Sequence, residues 1–229
     1  MALQNTGSLI RLGIWGLPLG ALCGFIGNLG GFSTPDPGDD PTGAARAAST
    51  TGYFLIQFLG NVLGPALGIF GIIALFAYLL NTRGGRLAPL AMVLSILGFS
   101  LLLSFTGIVT YAIPALAQAY LNGQQNALQM TDALFNGEVF AVVTLSGLLI
   151  FLGFVFFAIA IWRSETLPRW AGVILAVSGL LLGWPANVPV ISLLGTLLAI
   201  IAGVSIALDV WRQPLARAEE AEASSMRAK

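Results

Sequence analysis

The sequence predicts an all-helical integral membrane protein, a six-transmembrane-helix bundle with both termini in the cytoplasm, and three observations carry that expectation. Hydrophobic residues make up 57% of the chain and charged residues only 9%, so lipid rather than water must solvate most of its surface. The apolar residues gather into six long runs separated by polar links. Arginines occupy alternate links: Arg11 precedes the first run, Arg83 and Arg86 follow the second, Arg163 and Arg169 follow the fourth, and Arg212, Arg217, Arg227 and Lys229 follow the sixth. Positive charge marks the cytoplasmic side of a membrane protein, which fixes the orientation of every span. Arg46 is the one arginine on the other side.

Span 1 is expected over about residues 12–32, long enough for a hydrocarbon core of ~30 Å at 1.5 Å per residue. Gly20-Ala21-Leu22 before Cys23 is a poor cleavage site, so the run reads as a retained helix rather than a signal peptide. Span 2 covers about 53–80 and span 3 about 87–115, joined by a short basic link. Span 4 covers about 139–162. Span 5, about 170–184, is shorter than a typical crossing, and Pro185 turns the chain into span 6, about 188–211. Trp162, Trp170, Trp184 and Trp211 fall at predicted ends, as an aromatic belt requires. Residues 1–212 thus form one transmembrane domain, and 213–229, with Glu219, Glu220 and Glu222, form a cytoplasmic tail that is a short helix or disordered.

Two outer segments are longer than turns. Ser33 to Thr51, rich in proline, glycine and aspartate, reads as an irregular exposed loop. Asp36, Asp39 and Asp40 do not have the spacing of a calcium loop. Leu116 to Gly137 mixes glutamines with leucines and reads as a short amphipathic helix on the outer interface, interrupted at Asn122-Gly123.

Several chemistries are disfavoured. The chain has no histidine, the commonest metal ligand, haem ligand and catalytic base. Its single cysteine, Cys23, cannot form an intrachain disulfide and reads as a small packing residue. Near-zero formal charge leaves no basic face for nucleic acid. Asp209, Glu138 and Arg11 stand at span ends, so no carboxylate is expected at the midplane to couple transport to protons or sodium. No nucleotide loop or nucleophile-base pair can be assembled from the short links. Neither an enzymatic activity nor any metal or cofactor is expected.

Two sets of residues remain as candidates. Gly16, Gly20 and Gly24 in span 1, and Gly60, Gly64 and Gly68 in span 2, each repeat at intervals of four and remove side chains from one helix face, so that another backbone can approach. The approach is expected between spans 1 and 2, or else to a second copy or another membrane subunit. Pro18 and Pro65 should kink the same helices. The second set is polar and lies toward the outer side: Asn28, then Tyr53, Gln57 and Asn61 at intervals of four, then Thr110 and Tyr111, with Asn187 in the last turn. Asn28, Tyr53, Gln57, Asn61 and Tyr111 are the candidate ligand-binding residues. They either line a cavity for an uncharged or amphiphilic ligand or hydrogen-bond between helices.

Spans 2–3 laid over spans 4–5 with an offset of 81 align Phe70 with Phe151, Phe76 with Phe157, and Gly98 with Gly179, a parallel repeat. The stretch from Trp162 through Leu167-Pro168-Arg169-Trp170 to Gly172 resembles an inner-loop signature of uncharacterised multi-pass proteins from bacteria, and the segment before span 4 is similar to theirs. That resemblance implies a bacterial cytoplasmic membrane address and no defined activity. Three functions follow as expectations: an accessory or structural subunit acting through glycine-mediated packing, a transporter or small-molecule or lipid-binding protein with an outward-facing polar vestibule, and, last, a lipid-modifying enzyme.

Overall fold

The computed structural model describes residues 2–31, 38–80, 82–124, 126–127, 130, 137–183 and 189–227. Every element among them is helical. We number the helices α1 (Ala2–Ile14), α2 (Gly16–Gly31), α3 (Pro41–Ala48), α4 (Thr51–Phe58), α5 (Gly64–Leu79), α6 (Ala88–Leu121), α7 (Gly137–Ser164), α8 (Arg169–Leu182) and α9 (Pro189–Arg227), with a π-helical turn, Leu59–Leu63, joining α4 to α5. Five helical stretches are long and apolar enough to cross a membrane: Gly7–Leu29, Thr51–Leu79, Ala88–Leu121, Gly137–Ser164 and Val190–Arg212. Helix α8 is apolar but has only 14 residues. Trp184 and Asn187, and with them the expected turn before the last span, lie outside the described residues, as do Asp36, Asp132 and most of the segment before α7.

The long helices alternate in direction and close into a ring: α2 packs on α5, α5 on α6, α6 on α7, α7 on α8, α8 on α9, and α9 returns to α2. The ring is fastened where its two ends meet, the Trp211 indole donating to the Arg11 carbonyl at 3.1 Å. This termini end also carries the two short links, whose tips touch through an exposed Arg83–Glu165 pair at 3.4 Å. Trp162, Trp170 and Trp211 are all half-exposed there, and the Arg169 guanidinium sits 5.3 Å from the Trp162 ring.

Prolines account for the two departures from straight α-helix. Pro18 cannot donate to the Ile14 carbonyl, and α1 gives way to α2 at Trp15. Pro65 follows the π-helical turn, where Gly64 N–H reaches back five residues to the Leu59 carbonyl. Pro114, by contrast, lies within α6 without ending it. The helix therefore runs six residues past the expected boundary to Leu121. It stops at Gly123, whose φ of +94° and the Gln124 N–H to Ala119 O bond of 3.1 Å form a Schellman closure. The break at Asn122-Gly123 falls where the sequence predicts; the residues before it extend the span.

The expectation of an irregular loop from Ser33 to Thr51 is corrected over residues 41–48. Asp40 caps α3 by accepting from the Gly43 N–H at 2.8 Å, and Pro41 supplies the preset φ of a first helical residue. Ala45 and Ala48 then bury against Ala117 on the overhanging end of α6. Of the two forms expected for the tail, the helical one is present, as a continuation of α9 without a break to Arg227.

At the termini end the bundle is solid. Ile14, Leu75, Leu79, Phe157, Ile161 and Ile206 are all fully buried in one continuous core. Spans 2 and 4 fill it alike, in a register of 82 rather than the 81 of the sequence overlay. Thr82 and Ser164 each donate to the carbonyl three residues back (Leu79, Ile161) and accept from the N–H two residues on (Gly84, Thr166). In so apolar a composition, chance identities hide a one-residue slip that hydroxyl caps reveal.

The backbone approach at Gly20 generates a stability prediction. A Cβ there would stand 2.6 Å from the Gly64 carbonyl oxygen and 2.7 Å from the Gly68 nitrogen. Gly20→Ala is expected to lower the thermal midpoint of the detergent-solubilised protein, costing about 1–3 kcal/mol. Gly107→Ala, whose Cβ meets nothing within 4 Å, should leave the midpoint unchanged or raised. Equal losses in the two variants would contradict the packing described.

Candidate functional site

Glycines shape both the walls and the hollow of this bundle, and helical geometry sorts them. At 100° per residue, Gly16, Gly20 and Gly27 lie within about 40° of one another, whereas Gly24 is turned about 80° from Gly16. Gly60, Gly64 and Gly71 repeat the same spacing. The seam between α2 and α5 uses these six positions. A Cβ on Gly16 would approach Leu67 O at 2.5 Å, and one on Gly27 would approach Gly60 Cα at 2.6 Å. Gly24 and Gly68 face elsewhere. A Cβ on Gly24 would make ordinary contact with Thr196 Cγ2 at 3.5 Å, and one on Gly68 would meet the Phe99 ring at 3.6 Å. Gly27 and Gly71, absent from the four-residue pattern, complete the seam.

The ring encloses a cavity of about 250 Å³ in the half away from the termini. Its floor is Leu17, Ile72, Phe154 and Leu175, which belong to or border the solid core. Gly24 and Gly68 form part of its wall, so the missing side chains there are volume in the cavity. Asn28, Asn61, Thr106, Ser146, Ser192 and Thr196 supply its polar atoms. Among the described residues, no ionisable side chain lines it.

Of the expected ligand-binding residues, Asn28 and Asn61 reach this cavity, and Tyr53, Gln57 and Tyr111 do not line it. Asn61 Nδ2 donates to Gln57 Oε1 at 2.6 Å, and Gln57 also bonds the Tyr53 side chain, so these three form a ladder one helical turn per rung. Tyr111 lies on the outer surface, half-exposed, its ring 5.9 Å from that of Phe54. Asn28 faces the cavity without a side-chain hydrogen bond among the described residues.

Thr106 is the contributor that span-by-span reading misses. An α-helix would satisfy the Asn61 carbonyl with the N–H of residue 65, which is proline. The Thr106 hydroxyl of α6 donates to that carbonyl at 2.8 Å, with the Leu102 carbonyl of its own helix at 3.0 Å as the alternative acceptor. The legible signal was Pro65 itself: a proline in a lipid-embedded helix calls for a donor from a neighbour. Ser146 and Thr196 also line the cavity, but their hydroxyls bond carbonyls of their own helices. Asn28, Asn61 and the Ser192 hydroxyl, which has no hydrogen-bond partner among the described residues, therefore hold the free hydrogen-bonding capacity, a neutral array that can meet a donor or acceptor.

Thr106→Val removes the external donor while keeping the shape, and is expected to cost about 1–2 kcal/mol. In a Pro65→Ala background the cost should shrink, because residue 65 regains an N–H for the Asn61 carbonyl. Unfolding midpoints of the two single variants and the double variant give the coupling. Additive losses would show that Thr106 does not serve that carbonyl.

The comparisons with known proteins match this architecture in extent. No curated protein and no solved structure matches the chain. A family model does, over residues 12–211, from within the first membrane-length stretch to the tryptophan that fastens the ring, taking in both halves of the chain. The chain thus belongs to the family described as "Domain of unknown function (DUF4386)".

Proposed function

We propose that the protein is a non-enzymatic binding protein of the bacterial cytoplasmic membrane that receives a small uncharged or amphiphilic molecule in its central cavity, to hold it or to pass it on. The observation that carries this reading is the cavity itself: every helix of the ring contributes to it, Asn28 and Asn61 line it, and among the described residues no ionisable side chain does. Pockets that take small molecules are mostly apolar with a few placed polar groups, and this one has that composition.

The orientation belongs to the same proposal. Arg11, Arg83, Arg86, Arg163, Arg169 and Arg212 stand at the termini end, and Arg46 alone among the described arginines outside α9's tail stands at the other. The charge bias supports six crossings with both termini cytoplasmic, α8 serving as the short crossing and the cavity facing outward. The glycine faces once left open an accessory-subunit role. Their close approaches lie within this chain, between α2 and α5, which favours the binding reading over that role.

Native mass spectrometry of the protein released from its own membranes tests the reading. Wild-type protein is expected to carry a bound small molecule that Gly68→Leu, which fills the wall beside Phe99, excludes. Equal, ligand-free masses for the two would count against it.

A further inference from the structure

The shape of the cavity restricts what can fill it. Leu17 and Asn28 both line it, as do Ile72 and Asn61, and Phe154 and Val143. Each pair is eleven residues apart on one helix, so the lining extends about 16 Å along the bundle axis. That depth is close to one leaflet, half of a hydrocarbon core of ~30 Å. A compact apolar cavity of about 150 Å³ accepts a benzene molecule. Here about 250 Å³ is drawn out over the depth of a leaflet, which makes a bore one chain wide.

Polarity is graded along that bore. The closed end is Leu17, Ile72, Phe154 and Leu175; Phe99 and Ile150 follow at mid-depth; the amides of Asn28 and Asn61 stand at the far end. One N–H of the Asn61 amide is given to Gln57, leaving its oxygen and second N–H, and Asn28 can both donate and accept. A charged head group would enter this apolar setting without a counter-charge among the described lining residues, a desolvation loss that they do not offset.

We infer that the occupant is a single-chain amphiphile with an uncharged hydroxyl, ester or amide head, lying parallel to the bundle axis with its chain against Phe154 and Ile72 and its head at Asn28 and Asn61. This rests on the binding reading above and adds the class and the direction of the ligand. A single acyl or alkyl chain of leaflet length fits both the bore and the gradient. A two-chain phospholipid fits neither.

The test uses the full chain in bilayer nanodiscs with two photoactivatable dodecanols, one carrying a diazirine at the chain end and one beside the hydroxyl. The chain-end probe is expected to label peptides containing Ile72, Phe154 or Leu175, and the head probe peptides containing Asn28 or Asn61. Unlabelled dodecanol should compete at least about tenfold better than dodecanoate or dodecyltrimethylammonium, a factor that corresponds to about 1.4 kcal/mol. Gly68→Leu should abolish both patterns, and Gly24→Val, whose Cβ makes only ordinary contact with Thr196, repeats the check if the first variant fails to fold. A reversed labelling order, or charged competitors as effective as dodecanol, would overturn the assigned class while leaving cavity binding intact. Labelling confined to lipid-facing residues such as Phe70 and Leu97, unchanged by either variant, would remove the binding reading itself.

Discussion

Helices α2 and α5 meet backbone to backbone because neither carries a side chain where they cross, and the rest of the bundle is arranged around that contact. In lipid there is little hydrophobic drive to bring two helices together; close packing of small residues must do so. The same device recurs around the ring: Gly147 lies against Gly183 between α7 and α8, and Gly203 against Pro18 between α9 and α2. Tight seams at the perimeter pull six helices into a closed circle. A circle of six helices has room at its centre, and large side chains fill that room only at the termini end, where Phe157, Leu75, Ile161 and Ile206 converge. At the other end the wall positions are Gly24 and Gly68, and the centre is hollow.

The polar chemistry of the interior follows from the solvent. A free backbone carbonyl in lipid costs far more than in water, so each helix irregularity must be answered from nearby. Pro65 leaves such a carbonyl at Asn61, and Thr106 of the next helix answers it. Along the same face, Gln57 and Asn61 satisfy one another. Several polar groups are thus occupied in holding the structure, and of those that line the cavity Asn28, the rest of the Asn61 amide and the Ser192 hydroxyl are left for something else. The question of whether the polar cluster is a site or a fastening therefore has a divided answer, residue by residue: Tyr53 and Gln57 fasten, Asn28 and Asn61 face the space.

The helices were legible in the sequence because lipid demands long apolar runs, and the charge pattern ordered them. The misses have particular physical causes. Helix α3 hid in a segment whose prolines and glycines suggested a loop, although Asp40-Pro41 is a helix start by its own chemistry. The end of span 3 was expected at about residue 115, yet α6 runs on through Pro114 to Leu121, since a membrane bundle tolerates a proline within a helix. The glycine spacing revealed the α2–α5 seam but, counted in fours, ran off it, since each such step turns about 40° around the helix. The cavity was only half legible: amides point to it, but its volume comes from side chains that are absent, and absence at Gly24 reads in sequence like absence at Gly20.

The central claim is that the bundle is hollow at one end and solid at the other, with the hollow reached from the side opposite the termini. Single cysteines in a Cys23→Ala background, reacted in intact cells with a membrane-impermeant maleimide, test it most directly. Ser192→Cys, in the cavity wall, is predicted to react from outside the cell, and Ile206→Cys, in the solid core, to remain unmodified from either side. A Ser192→Cys protein that is inert from outside, or that reacts only after the cytoplasmic face is exposed, would contradict the account.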